Sequence, residues 1–270
     1  MTVRTEIDGP VWTVVHARPE ARNAMDPTSA RQLFDAFVAF DEDPDAAVAV
    51  FWGEGGAFCA GWDLKLAASQ SDDDAGDGLG RLAFGPADDH SRGPMGPSRL
   101  ELSKPVIAAI AGPAVAGGME LAMWADIRVM EETAYMGVYC RRWGVPLIDG
   151  GTVRLPRLVG QGRALDLILT GRQVMADECE RIGLCEYVVP TGDARARAEQ
   201  IAHEIARFPQ LCVRADRRST RDSYGLPIRE ALVQEWEVSR AVVAAEGISG
   251  AQRFASGAGR GGDFTDLGGD

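Results

Sequence analysis

Lysine is almost absent from this chain. Among 28 lysines and arginines only Lys65 and Lys104 are lysine, and with 40 acidic residues the formal net charge is −12. A field of that sign repels nucleic-acid phosphates, so no nucleic-acid partner is expected. An anionic ligand must then be held locally, by arginine or by main-chain N–H groups. Long apolar runs are missing too. No stretch reaches the roughly 20 residues of a membrane span, and the opening MTVRTEIDGP does not have the form of a secretion signal. The five cysteines (Cys59, Cys140, Cys179, Cys185 and Cys212) form no CxxC pair. An odd, scattered set points to reduced thiols in the cytoplasm and to no structural zinc. The histidines His16, His90 and His203 are isolated. There is no Ser-His-Asp pattern, no metal-spaced cluster and no GxGxxG following a strand.

The chain has 270 residues, with 46% hydrophobic and 25% charged. That fits one α/β domain, or one domain with a small appendage. Segments 11–18, 47–53, 106–112, 126–130 and 185–189 read as strands. The runs AVAVFWG and VIAAIAG lack strict alternation, which predicts cover on both faces. Asp26 followed by Pro27 predicts a helix start, with Leu33, Phe34, Phe37, Val38 and Phe40 at helical spacing to about Asp41. Further helices are predicted over 118–125, 161–170, 176–182, 193–207, 210–221 and 227–246. Residues 67–98 are rich in Asp, Gly, Ser and Pro and too long for an ordinary connection, so a mobile surface loop or lid is expected. The tail ASGAGRGGDFTDLGGD is expected to be poorly ordered near its end.

Two turns carry the chemistry. In AFCAGWDL (57–64) a strand gives way to small residues, then Trp62 and a helix start near Asp63. In AGPAVAGGMELAMWADIR (111–128) a strand ends at Gly112, and Ala116-Gly117-Gly118 leads into a helix. Amides at a helix start are unpaired and carry the positive end of the dipole, and glycine lets a ligand approach them. Either turn alone is also ordinary turn chemistry. Facing each other, they would supply two converging donors to a carbonyl that gains negative charge.

The segments RPEARNAM (18–25), AFCAGWDL (57–64), 104–128 and 141–172 together resemble the crotonase (enoyl-CoA hydratase/isomerase) superfamily, in its order and spacing. The resemblance implies an α/β fold, the crotonase (ClpP-like) spiral of repeated ββα units. It implies a spiral core over 1–200 with the acyl-CoA site, and a C-terminal helical region over 201–270 that drives assembly into a trimer or a dimer of trimers. It implies an acyl-CoA thioester as substrate, with coenzyme A part of that substrate and no separate cofactor. By the same resemblance, Trp62 and Gly117 donate the oxyanion N–H groups. Arg22, Ala24, Ala60, Asp63 and Leu64 lie along the coenzyme A, and Arg260 is a candidate for its phosphates.

Hydration of an enoyl thioester needs a base for water and an acid for the α-carbon. Glu120 matches the first of the two glutamates that share this work in the hydratases. Its other reading is an acid that complements the helix dipole. A carboxylate set among Met, Leu and Trp is costly to bury for that alone, and burial raises its pKa toward proton transfer. The second glutamate is missing, and by alignment its place is taken by Cys140. That residue reads as small packing, or as a reactive thiolate if Arg141 and Arg142 lower its pKa. Asp149, in PLIDGG, reads equally as a turn acid or as a second catalytic carboxylate. The expected activity is of the enoyl-CoA hydratase or isomerase type. A non-catalytic acyl-CoA binder and a CoA-thioester hydrolase or decarboxylase on the same fold stand as alternatives.

Overall fold

The structure is a computed structural model, and it describes residues 2–69, 82–84 and 91–259. Much of the expected lid at 67–98, together with His90, Arg260 and the end of the tail, lies outside the described residues.

The chain begins with a hairpin that the sequence reading missed. Strand β1 (Val3–Asp8) pairs antiparallel with β2 (Val11–His16). Gly9, at φ 55°, makes the turn between them. Asp26 then caps α1 (Pro27–Glu42), its side chain accepting from the Ser29 N–H at 2.6 Å. Leu33, Phe37 and Phe40 of this helix are wholly buried. From β2 onward the main sheet is parallel, through β3 (Val48–Gly53), β4 (Val106–Ile110), β6 (Ile127–Glu131) and β9 (Tyr187–Val189). A second sheet joins β5 (Pro113–Val115), β7 (Tyr135–Gly137) and β8 (Gln173–Met175).

Both faces of the main sheet are covered, as its unbroken apolar strands predict. Ala49 and Phe51 of β3 pack into the cluster that holds Phe37 and Phe40. Val48 and Val50 point the other way, into a cluster with Ala194, Ala198, Ile201 and Ala202 of α7 (Ala194–Ala206). Units of strand, strand and helix recur. The hairpin leads to α1. β4 and β5 lead to α3 (Gly117–Trp124), and β6 and β7 lead to α4 (Gly151–Val159). A short α2 (Leu64–Ala67) follows β3, with Asp63 as its cap. α5 (Gln161–Thr170) and α6 (Ala176–Ile182) complete this part.

After α7 the character changes. α8 (Gln210–Asp222) packs on α9 (Ile228–Val242), which continues through a π turn at Val243–Gly247 into α10 (Ile248–Ser256). Neither α9 nor α10 buries a single residue. Leu232, Trp236, Val243 and Phe254 all stand exposed. Among the described residues, no helix is long and apolar enough to cross a membrane.

Candidate active site

The two glycine turns meet. Residues leaving β3 run beside β5, with the Cys59 N–H donating to Pro113 O at 3.2 Å and the Val115 N–H to Cys59 O at 3.0 Å. Only glycine fits where the turns touch. A Cβ on Gly118 would lie 2.1 Å from Cys59 O, and one on Gly61 (φ 89°) would lie 2.8 Å from Ala116 Cβ and 3.3 Å from Gly117 N. Ala116 itself sits at φ 55°, an unusual conformation for a residue with a Cβ. It opens α3, and its carbonyl takes the N–H groups of Met119 and Glu120. Among the described residues, neither the Trp62 N–H nor the Gly117 N–H donates to a protein acceptor. Both residues line one cavity, in which about 160 Å³ is open to the centre of a water molecule. A cavity of about 150 Å³ holds a benzene ring, so a short acyl group fits.

Both candidate carboxylates face this cavity. Glu120, in the first turn of α3, is 2% exposed. Its Oε1 accepts from the N–H groups of Asp149 at 2.9 Å and Gly151 at 2.8 Å. The Gly151 amide is the first of α4, so the positive end of one helix meets a carboxylate carried on another. Burial, reinforced by the Asp149 charge, nevertheless pushes the Glu120 carboxyl up to about 7. Asp149 is 3% exposed. Its Oδ1 accepts from the Met95 N–H at 3.0 Å and from the Ser98 hydroxyl. Burial also raises Asp149, while these two donors and the nearby Arg99 and Arg154 oppose the rise. Arg154 ties the arrangement together, donating to Asp149 O at 2.8 Å and Ser98 O at 2.7 Å.

Met95, Ser98 and Arg154 are site residues that sequence reasoning missed. Residues 93–98 belong to the stretch read as a surface loop, yet Gly93, Met95, Gly96, Pro97 and Ser98 are buried. Gly93 and Gly96 exchange main-chain hydrogen bonds at 3.0 and 2.9 Å, closing a tight turn with Met95 inside it. The Met95 side chain lies over Gly117, where an added Cβ would come within 2.6 Å of its sulfur. The glycines of GPMG were the available signal.

Cys140 lines the cavity beside Glu120. Burial and the Glu120 charge push its thiol up, away from a thiolate. The Arg141 amide and charge oppose the rise but are outweighed. The Arg141 side chain donates to Ile168 O at 3.1 Å, and Arg142 lies 3.8 Å over the Tyr139 ring. The net direction is against the reactive-thiolate reading.

The segments expected along the coenzyme A lie side by side. The Ala60 N–H donates to Arg22 O at 3.1 Å, the Met25 N–H to Gly61 O at 2.7 Å and the Asp63 N–H to Met25 O at 2.9 Å. Arg18, also missed, braces them, donating to Ala24 O and to Asp63 Oδ2, each at 2.7 Å. Asp63 is thus occupied as a helix cap and an ion-pair partner. Ala60 and Leu64 line the cavity. The Arg22 side chain has no partner among the described residues. No three or more His, Cys, Asp or Glu side chains among them gather as a metal site.

Recurring ββα units, glycine turns pressed together and a buried glutamate in their cavity define the crotonase class of α/β acyl-CoA enzymes. The chain belongs to the enoyl-CoA hydratase/isomerase family, whose model matches residues 6–256. It is 37% identical over 230 residues to the enoyl-CoA hydratase EchA19 of Mycobacterium tuberculosis, covering 83% of this chain and 81% of that one. It is 34% identical over 224 residues to the carnitinyl-CoA dehydratase of Proteus mirabilis, covering 82% and 81%. Among solved structures, an enoyl-CoA hydratase of Bacillus anthracis superposes with a TM-score of 0.85 at 29% identity, over 95% of this chain and 96% of its own.

Proposed function

We propose that this protein adds water reversibly across the double bond of an enoyl-CoA thioester. The observation that carries the reading is Glu120, buried and raised to about 7, in the same cavity as the unpaired N–H groups of Trp62 and Gly117. The two amides hold the thioester oxygen and take up its charge as the enolate forms. In hydration the water oxygen bonds to the β-carbon, and one water proton passes to Asp149. Glu120 delivers its own proton to the α-carbon. A proton then returns from Asp149 to Glu120, which restores the site. Two adjoining carboxyls that share one negative charge suit this division of labour. Cys140, at the place of the absent second glutamate, is a neutral wall of the pocket.

Coenzyme A lies along Arg22, Ala24, Ala60, Asp63 and Leu64 in this reading, with the Arg22 side chain a cation for its phosphates. The bare apolar face of α9 and α10 is the surface by which a cytoplasmic homotrimer, or a dimer of trimers, assembles. The C-terminal helical region is thus the assembling part and the spiral the catalytic part.

The test is turnover of enoyl-CoA and 3-hydroxyacyl-CoA thioesters, followed by loss of the enoyl absorbance and by product mass. A gain of 18 mass units on the enoyl substrates is the expected result. A shifted double bond with no mass change would instead establish isomerisation. Free thiol would establish hydrolysis, and carbon dioxide release decarboxylation. Binding without turnover over the whole panel would leave an acyl-CoA binder.

A further inference from the structure

The mouth of the cavity differs from its closed end. Glu120, Asp149, Met95 and Cys140 form a buried floor. Trp143 and Ile148 line the same cavity at its rim, yet are 69% and 41% exposed. Trp143 sits on the single turn of 3-10 helix that follows β7. Among the described residues its ring has no aromatic, cationic or hydrogen-bonding partner. Trp12 and Trp124, by contrast, pack on Phe40 and Phe37, and Trp52 lies under Arg195. A large apolar surface left bare and continuous with a binding cavity marks where more of a ligand rests.

Resting on the reading of the site given above, we propose that the acyl group is uncharged, apolar and longer than four carbons, and that Trp143 sets this preference by covering its distal part. The whole cavity, rim included, has about 160 Å³, which accommodates the reacting carbons and little more. Anything beyond them must cross the rim. Among the described residues the charged side chains lining the cavity are Glu120 and Asp149, both at the closed end, and Arg142, stacked on the lining Tyr139, also donates to Gly171 O at 3.3 Å. Aromatic rings can also recognise quaternary ammonium groups, and the acyl group of carnitinyl-CoA carries one. Here the cation site on Tyr139 is already filled by Arg142, at 3.8 Å. A second cation beside it would be repelled. The chemistry of the rim therefore fits a hydrocarbon and disfavours a quaternary ammonium group.

Two measurements on the full-length protein test this. In the first, kcat/KM is compared for crotonyl-CoA, trans-2-decenoyl-CoA and crotonobetainyl-CoA with wild type, Trp143→Ala and Trp143→Phe. The wild type is expected to prefer decenoyl-CoA over the other two. The alanine variant should shrink the decenoyl-to-crotonyl ratio about 10- to 100-fold, and phenylalanine should restore most of it. Equal losses on both chain lengths, or a preference for crotonobetainyl-CoA, would overturn the proposal. The second measurement does not depend on turnover. Decanoyl-CoA should bind more tightly than butyryl-CoA, and Trp143→Ala should erase that difference. That result with no turnover would sink the hydratase reading and leave the acyl assignment standing; equal binding in the wild type would sink the assignment itself.

Discussion

The spiral and the C-terminal arm handle apolar surface in opposite ways. In the spiral the inner strands β2, β3, β4 and β6 are covered on both faces, by α1 and α3 on one side and α7 on the other. In the arm, α9 and α10 keep their large side chains bare. The first region holds enough surplus burial to keep two carboxyls and an unpartnered histidine dry. The second, in α9 and α10, buries none of its large apolar side chains against the rest of the chain. Functional groups that cost stability therefore sit in the region that can carry them.

The largest expected effect breaks the spiral itself. Gly118→Ala places a Cβ 2.1 Å from a main-chain oxygen of Cys59, which cannot swing aside. A loss of about 3 kcal/mol or more is expected, read as a fall in the denaturant midpoint or as failure to fold. Asp149→Asn separates function from fold in the same region. It keeps the acceptor for Met95 and Ser98 but removes the carboxylate to which the proposed mechanism passes the water proton. Hydration should fall about 100-fold with little change in thermal midpoint.

A third expectation is a pH dependence of opposite sign for two buried groups. His16 is fully buried, with neither ring nitrogen hydrogen-bonded among the described residues, and burial pushes it down to about 4. Its ordinary value is 6.5, so the native state binds fewer protons than the unfolded chain between the two. Stability is then whole above 6.5 and is lost as pH falls toward 4, by roughly 3 kcal/mol at most. His16→Leu should flatten that acid limb in a series of denaturant melts. Glu120 runs the other way. Its folded value near 7 lies above its ordinary 4.5, so its contribution is full below 4.5 and is lost as pH rises through 7. The same titration makes kcat/KM for hydration fall as pH rises through 7, and because the overall reaction takes up and releases no proton, kcat/KM for dehydration falls in parallel.

The smallest expected effect on the spiral comes from the arm. Leu232→Glu with Trp236→Glu should lower the sedimentation mass to that of one protomer. The far-ultraviolet spectrum should stay native, and the spiral should lose less than about 1 kcal/mol. An unchanged mass would remove these residues from the interface and blur the contrast between the two regions.

What the sequence made legible was local. The Asp26-Pro27 start, the apolar runs of β3 and β4, and the glycines before α3 each act through neighbours in the chain. What escaped was long-range. Ser98 and Met95 reach Asp149 across 51 and 54 residues, so composition showed only a Gly- and Pro-rich stretch. The three-residue strands β5, β7 and β8 are too short to display a period, and Pro156 inside α4 disguised a helix. The arm reads as helix to residue 246, but the π turn carries it on to Ser256, ten residues past that end.

The most direct test of proton transfer at Glu120 is deuterium exchange. A saturated acyl-CoA is incubated in D2O, and label at its α-carbon is followed by mass spectrometry. The wild type should incorporate deuterium, faster as pH rises through 7. Glu120→Gln should slow exchange about 1000-fold or more, while binding the thioester with a similar Kd. Exchange by Glu120→Gln at the wild-type rate would contradict the account.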